Sequence, residues 1–188
     1  MKKINEAINP WTTLSEEEVY KNPWISISHR DVLNPAGGKG IYGVVQFKNL
    51  AIGILPLDEH NNTWLVGQYR YTLEQYTWEI PEGGSPINTP PLDSAKRELK
   101  EEVGLVAKTW STLLEIHPSN SVTDEYGIVY IAKDLTQGAA EPEDTEELVV
   151  KKLPFEEALQ MAIDGKITDS ISIAALFKAK LLMDAGKL

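Results

Sequence analysis

The chain has 188 residues, 42% apolar and 24% charged, a composition that excludes intrinsic disorder and collagen-like repeats. Its 28 Asp and Glu against 18 Lys and Arg give a net charge of −10, which repels phosphate and anionic lipid, so we expect no nucleic acid and no membrane as partner. The absence of cysteine excludes disulfides, thiolate metal sites and a cysteine nucleophile. No apolar segment follows the two lysines near the start, and we expect a cytoplasmic location.

The first half of the chain is predicted to form strands behind a polar arm. Residues 1–23 are mostly polar, and we take them as an N-terminal arm ahead of one domain at 24–188. Alternating or β-branched residues predict three strands, at 24–29, 42–47 and 51–56. The acidic and amide residues at 58–62 predict a turn, which makes 64–69 the expected hairpin partner of the third strand.

Helices are predicted singly and late in the chain. A short strand at 77–81 leads to a proline-rich loop at 85–91. A helix over about 91–103 is expected to end at Gly104. The remaining elements are strands at 110–116, 127–132 and 148–153, and helices at 155–164 and 169–185, the last with Asp169 as its N-cap. This order predicts an α+β fold, a mixed sheet with helices packed on it.

The helix at 91–103 carries an unusual set of acidic residues. Glu98, Glu101 and Glu102 share one region of its surface, where like charges repel one another. A divalent cation would reverse the sign of that energy, because hard cations take carboxylate oxygens as ligands. The alternative is a solvated face whose carboxylates are neutralised by the lysines and arginine beside them.

The surroundings of these glutamates favour the metal. Gly83, Arg97-Glu98-Leu99, Glu101-Glu102 and Gly104-Leu105 resemble the signature of the Nudix hydrolases, and the spacing holds over positions 83–105, which we call the box. Eight of the nine defined positions match, and the ninth is Thr89, where the family has a Glu. Because Thr89 precedes two prolines, we predict that it caps the helix. The resemblance implies the Nudix fold, a mixed sheet sandwiched between helices.

Segments outside the box resemble one branch of this family, which hydrolyses ADP-ribose and other nucleoside diphosphate sugars. They are QYRY at 68–71, WEIPEGG at 78–84 and the last helix, whereas the Ser-Pro-Gly type sequence of the commoner ADP-ribose form is absent from 117–125. The resemblance implies a homodimer that uses Mg²⁺ or Mn²⁺ to release a nucleoside monophosphate and a sugar phosphate, with the arm exchanged between subunits. Alternatives are a catalytically silent nucleotide-sugar sensor, or hydrolysis of coenzyme A or dinucleoside polyphosphates.

The resemblance also implies roles for residues of the box. Metal ligands are expected to be Glu98, Glu102 and the backbone carbonyl of Glu82. Arg97 is expected to orient a carboxylate of the box through its bidentate guanidinium, and Glu101 to complete the catalytic set.

Residues outside the box would bind the substrate and move the proton. Arg70 is expected to bind the diphosphate and Trp24 to stack on the base, with Glu79 and Ser121 as further substrate contacts. The general base is expected in the acidic loop at 141–147, where counting back from Leu153-Pro154 selects Glu146. A shift of register would select Glu143 or Glu147 instead. Glu125, in another loop, is a separate candidate that could instead touch the sugar.

Overall fold

The computed structural model describes residues 8–138 and 147–188, and the chain forms two compact units. The described part of the first unit is residues 8–48 and 119–125. The second unit covers 49–118 and continues from 126. Among the helices in the described ranges, none is long and apolar enough to cross a membrane.

The first unit is an antiparallel sheet of three strands, in the order β1-β2-β3, namely β1 (Thr12–Lys21), β2 (Ile25–Leu33) and β3 (Lys39–Phe47). Residues 119–125 run beside β3, where the Val45 amide donates to the carbonyl of Val122 at 2.8 Å. The sequence did not predict β1, which lies within the segment interpreted as an arm. Every residue of β1 is exposed, so no buried face gives it the two-residue apolar period of a strand.

The second unit contains two sheets and three helices. Its elements are β4 (Asn49–Pro56), β5 (Asn62–Arg70), β6 (Gln75–Glu79), β7 (Glu82–Pro86), α1 (Pro91–Val103), β8 (Leu105–Ile116), β9 (Gly127–Gln137), β10 (Val149–Pro154), α2 (Phe155–Ile163) and α3 (Ser170–Asp184). One sheet has the order β7-β4-β9-β8, in which β4 and β9 are parallel and the other pairs antiparallel. The other sheet, β10-β5-β6, is antiparallel.

The central strands divide their side chains between two apolar cores. Ile52 and Ile54 of β4 pack with Trp64 of β5 and with α1. Leu55 and Leu65, which directly follow Ile54 and Trp64 in the sequence, pack with α2 and α3. Because successive side chains of a strand point to opposite faces, helices cover both sides of the strands. The predicted α+β sandwich is confirmed.

The predicted hairpin of 51–56 with 64–69 is wrong. β4 pairs with β7 and β9, and β5 pairs with β6 and β10, so the two strands belong to different sheets. Both β4 and β5 are buried on both faces, and each lies inside its own sheet with a paired strand on either side. The turn between them is held by Asp58, whose carboxylate accepts from the backbone amides of His60 at 2.9 Å and Asn62 at 2.8 Å.

The region before α1 differs from prediction in two details. Residues 82–86 form β7, so the predicted loop at 85–91 begins later, because pairing with β4 outweighs the weak strand preference of the glycines. The predicted cap at Thr89 is also wrong. Pro90 occupies the N-cap position without any side-chain hydrogen bond, and the Thr89 amide donates to the Pro86 carbonyl at 2.8 Å.

The ends of the two longer helices agree with prediction at three positions. Helix α1 begins at Pro91, and Gly104 ends it with a φ of 71°, the left-handed conformation that glycine adopts at low cost. Asp169 caps α3, and its carboxylate accepts from the amide of Ser172 at 2.6 Å.

Candidate active site

Residues 79–82, which we call the crossing segment, carry the chain from one sheet of the second unit to the other. Glu79 is the last residue of β6 and Glu82 the first of β7. Between them, the Pro81 carbonyl accepts from the Ile54 amide at 2.8 Å, and the Ile80 amide donates to the side chain of Ser172 at 2.9 Å. These two hydrogen bonds fix the backbone between Glu79 and Glu82, where the chain passes from β6 to β7.

Arg70, the last residue of β5, binds both glutamates of the crossing segment. Its Nε donates to Glu79 Oε2 at 3.1 Å, and its Nη2 donates to Glu82 Oε1 at 2.8 Å and also to Glu79 Oε1. Gln68 adds a bond from Nε2 to Glu79 Oε1 at 2.6 Å. The Glu79 side chain is 3% exposed and that of Arg70 is 37% exposed, so only the arginine reaches solvent substantially.

Burial and a surplus of carboxylates set the ionisation of this cluster. Burial raises the pKa of Glu79, and the charge of Arg70 partly offsets that rise. Burial also raises the pKa of Glu82 well above its ordinary value, and the charges of Asp169 and Glu79 raise it further. Burial lowers the pKa of Arg70, but the neighbouring carboxylates outweigh it, so the arginine remains charged. The cluster holds more carboxyl groups than one arginine can neutralise.

Helix α1 brings the glutamates of the box onto the crossing segment. Glu102 is buried, and its Oε2 accepts from the backbone amide of Glu82 at 3.1 Å. Glu98 lies against Gly83 so closely that a Cβ on Gly83 would overlap its carboxylate. The neighbouring Gly84 has more room, since its nearest atom would be the amide nitrogen of Asn49 at 3.3 Å. Glycine at 83 is therefore required by the position of Glu98.

Arg97 links two glutamates of α1 to the strand beside the helix. Its Nη2 donates to Glu98 Oε1 at 2.6 Å and to the Gly84 carbonyl at 3.3 Å, while Nη1 donates to Glu101 Oε2. Burial lowers the pKa of Arg97, but Glu98 and Glu101 raise it more, so that the guanidinium stays charged. The geometry is that of an arginine orienting two carboxylates.

The structure brings together seven of the predicted site residues within the second unit. They are Arg70, Glu79, Glu82, Arg97, Glu98, Glu101 and Glu102. Trp24, Ser121 and Glu125 belong to the first unit, where Trp24 is 65% exposed and the Glu125 amide donates to Thr123 Oγ1 at 3.4 Å. Glu146 and Glu143 lie outside the described residues, and Glu147 is exposed.

Three residues near the cluster were not predicted as part of a site. Gln68 lies two positions before Arg70 on β5, so strand periodicity could have indicated it. Asp169 was predicted only as a helix cap, and Ser172 was not singled out. Nothing local to the sequence places α3 beside the crossing segment, because that contact is formed by the tertiary fold.

The fold and the cluster on α1 and β7 define a class of protein, and comparisons with known proteins identify it. A family model for the NUDIX domain matches residues 47–174, and a model for the nucleoside diphosphate sugar hydrolase N-terminal domain matches residues 11–45. The chain belongs to the Nudix family and is a pyrophosphatase-type hydrolase, as predicted.

Individual relatives agree with this membership. An ADP-ribose pyrophosphatase of Mycobacterium tuberculosis is 32% identical over 173 residues, covering 90% of this chain and 83% of that protein. An ADP-ribose pyrophosphatase of Bacillus subtilis is 26% identical, with 94% and 93% covered. A solved structure of an ADP compounds hydrolase superposes with a TM-score of 0.84, over 98% of this chain and 100% of that one, at 22% identity, which shows the fold.

Nudix hydrolases need a divalent metal ion, and the donor chemistry of the box fits one. Glu98, Glu102 and the Glu82 carbonyl offer hard oxygen donors, and carboxylates outnumber arginines in the cluster around them. Within residues 8–138 and 147–188, no three acidic or histidine side chains converge as a preformed metal site. Instead Glu98 is directed at Arg97, and the Glu82 side chain is directed at Arg70.

Proposed function

We propose that this chain hydrolyses the diphosphate bond of nucleoside diphosphate sugars of the ADP-ribose type, releasing a nucleoside monophosphate and a sugar phosphate. The observation that carries the proposal is the contact of the box glutamates with the crossing segment, where Glu102 binds the Glu82 amide and Glu98 lies on Gly83. The match of residues 11–45 to the nucleoside diphosphate sugar hydrolase N-terminal domain, and the names of the relatives above, support this substrate class.

Mg²⁺ is the ion we propose, with Mn²⁺ as a substitute, held by Glu98, Glu102 and the carbonyl of Glu82. When bound, such an ion neutralises the diphosphate charge and lowers the pKa of a coordinated water. The chain contributes orientation: the bond from the Glu82 amide fixes Glu102, and Arg97 fixes Glu98. We propose Glu101, paired with Arg97, as the third carboxylate of the catalytic set.

Arg70 is the residue we propose to bind the diphosphate. Its bonds to Glu79 and Glu82 engage Nε and Nη2 of the partly exposed guanidinium, and we propose that the remaining nitrogen, Nη1, donates to a phosphate oxygen. Glu79 would then act as the carboxylate that holds this arginine at the substrate. Trp24 is proposed to stack on the base and Ser121 to contact the substrate, which fits their exposure in the first unit.

Glu146 is the general base we propose, since the metal would occupy the carboxylates of the box. Glu143, Glu147 and Glu125 are the alternatives. Single Glu-to-Gln variants at these four positions separate the candidates. The variant that lacks the general base should show a much larger fall in kcat than change in KM, and its rate should rise less with pH.

A homodimer with residues 1–23 exchanged, acting in the cytoplasm, completes the proposal. Strand β1 is exposed along its whole length, and Leu14, Val19 and Tyr20 of that strand are each more than half exposed. Trp24 is 65% exposed. An exposed run of large apolar side chains on one small sheet favours burial against a second copy of the chain.

The test is a turnover screen with Mg²⁺ over ADP-ribose, ADP-glucose, GDP-mannose, UDP-glucose and coenzyme A. We expect the highest kcat/KM for a nucleoside diphosphate sugar, and a kcat lower by about a thousandfold or more in the Glu98→Gln variant. Coenzyme A as the best substrate would contradict the substrate class. Tight binding of ADP-ribose with no hydrolysis would favour a silent sensor instead.

A further inference from the structure

We propose that Ser172 and Asp169, at the start of α3, are positioning residues that hold the crossing segment, and with it Glu79 and Glu82, in the geometry the reaction needs. The inference deepens the proposed function and rests on it for its kinetic test. Neither residue belongs to the box, and both act through the backbone at Ile80.

The first observation is the hydrogen bond at the edge of the β10-β5-β6 sheet. β6 is an edge strand of that sheet and ends at Glu79, and the next residue, Ile80, is completely buried. A buried amide without a partner is costly, and here Ser172 Oγ accepts from the Ile80 amide at 2.9 Å. Ser172 is itself completely buried. The Ser172 hydroxyl therefore provides the hydrogen-bond acceptor for the Ile80 amide that a neighbouring strand would otherwise provide.

The second observation is that Asp169 fixes Ser172. The carboxylate of Asp169 accepts from the Ser172 amide at 2.6 Å, as the N-cap of α3. The cap and the bond to Ile80 thus form a chain of two hydrogen bonds from the helix to the crossing segment. The charge of Asp169 also contributes to the raised pKa values of Glu79 and Glu82, which agrees with its lying close to both.

The third observation is the close packing of α3 on β4, the strand that pairs with β7. Gly53 of β4 is paired with Glu82, and a Cβ on Gly53 would lie 2.8 Å from Ile171 Cγ2 and 3.2 Å from Ile80 Cδ1. The first turn of α3 therefore packs closely against both β4 and the crossing segment. Because the packing is this close, a shift of α3 would also shift the backbone that it contacts.

Two functional contacts depend on that backbone position. Glu79 holds Arg70, and the amide of Glu82 binds Glu102. When Ile80 loses its acceptor, the segment can shift, and a displacement of about 1 Å costs on the order of a hundredfold in rate when it misplaces reacting groups. Loss of Ser172 Oγ should thus affect kcat beyond any loss of stability.

The kinetic test compares Ser172→Ala with a matched control. Ser94 of α1 is also a buried helix serine, and its Oγ donates to Ser85 Oγ of a neighbouring strand at 2.8 Å. With ADP-ribose as substrate, we expect Ser172→Ala to lower kcat by about tenfold or more and to raise the half-saturating Mg²⁺ concentration. We expect Ser94→Ala to stay within about twofold of wild type even if its Tm falls equally. Equal losses of kcat in both variants would overturn the proposal.

Asp169 offers a conservative rescue. Asparagine is as good an N-cap as aspartate, so Asp169→Asn should keep about half or more of the wild-type kcat, whereas Asp169→Ala should resemble Ser172→Ala. Equal losses in Asp169→Asn and Asp169→Ala would show that Asp169 acts by its charge and not by positioning Ser172.

A measurement without substrate separates this inference from the proposed function. The amide hydrogen of Ile80 should exchange with solvent about tenfold faster or more in Ser172→Ala, while the amide of Leu65 in β5 keeps its protection. Should Ser172→Ala fail to fold, the exchange of the Ile80 amide can be measured in Asp169→Ala instead. Unchanged exchange at Ile80 overturns the positioning role whatever the enzyme hydrolyses. An enzyme inactive on ADP-ribose, with fast exchange at Ile80 in the variant, contradicts only the proposed function.

Discussion

At the scale of single residues, the site consists of carboxylates held in place by arginines and by backbone amides. Arg97 orients Glu98, and the Glu82 amide holds Glu102. Each contact fixes the position of a carboxylate oxygen. Because each contact orients a group of the proposed site, removing any one should lower activity.

Glu98→Gln tests the metal ligand most directly. The substitution preserves shape and removes a negative charge, so we expect kcat to fall by about a thousandfold or more with little change in Tm. Asp93→Asn, on the exposed first turn of the same helix, is the control and should stay near wild type. Steady-state kinetics at saturating Mg²⁺ would measure both. Undiminished turnover by Glu98→Gln would refute the metal assignment.

Gly83→Ala tests the contact between the strand and Glu98. A Cβ at 83 would overlap the Glu98 carboxylate, the far end of a flexible side chain, so the carboxylate should move while the backbone stays. We expect a loss of activity of about a hundredfold and a nearly unchanged Tm. Gly84→Ala is the matched control, because its nearest atom would be at 3.3 Å. Similar activity in the two variants would contradict this geometry.

Arg70→Ala should reveal the buried carboxylates through the pH dependence of stability. Burial already raises the pKa of Glu79, and without Arg70 that pKa rises further. A carboxyl whose pKa is raised by folding binds more protons in the folded state, so its presence costs stability increasingly as pH rises through the raised pKa. We therefore expect the loss of Tm to be larger at pH 8 than at pH 5, together with a raised KM for nucleoside diphosphate sugars.

Arg30→Ala is the control for this effect. Arg30 pairs with Glu16 at 2.8 Å on the exposed sheet of the first unit, where such a pair is worth at most about 1 kcal/mol. Its Tm change should be small at both pH values, as thermal melts would show. A loss of Tm in Arg70→Ala that does not depend on pH would mean that Glu79 does not control the stability of the cluster.

At the scale of elements, α1 carries two functions on two faces. Ala95, Leu99 and Val103 are buried and fix the helix on the sheet. Glu98, Glu102 and Arg97 contact β7. The end of the helix matters because Glu101 and Glu102 lie in its last turn. Gly104 ends the helix in a conformation that other residues adopt only with strain.

Gly104→Ala should therefore destabilise the protein by about 1 kcal/mol, since alanine is strained at a φ of 71°. Gly43→Ala in β3 serves as control, because a Cβ at this position would have no other atom within 4 Å and its φ is not in the left-handed range. Chemical denaturation measures both free energies of unfolding. Equal stabilities would show that the helix end adjusts without cost.

At the scale of the whole molecule, the exposed sheet of the first unit is the feature that suggests assembly. Trp11 contacts the ring of Tyr42 at a centroid distance of 5.5 Å, and both side chains remain at least a third exposed. Ile41 of β3 is 69% exposed. Large apolar side chains at this density are usual where a second subunit binds.

Deleting residues 1–22 tests the homodimer. The deletion removes β1, so we expect weaker association and a higher KM for the substrate in the same variant. Light scattering at micromolar concentration and steady-state kinetics would measure these two effects. A wild-type chain that is monomeric and fully active at that concentration would exclude the exchanged dimer.

Sequence alone determined what depends on local spacing. The box over 83–105 is continuous in the sequence. The helical period therefore predicted that its glutamates share one region of the surface of α1, and the preference of glycine for a positive φ predicted the helix end at Gly104. The same spacing, with the segments outside the box, predicted the family and the α+β sandwich. The cap of α3 by Asp169 was likewise local and predictable.

Only the tertiary structure decided how distant segments meet. Strands β4 and β5 each have apolar residues on both faces, so their pattern does not specify partners, and the predicted hairpin was wrong. The ion pairs of Arg70 with Glu79 and Glu82 depend on the register of β5 with β6 and on the crossing between sheets. The bond from Ile80 to Ser172 joins residues 92 positions apart, a contact set by global packing and by no local preference.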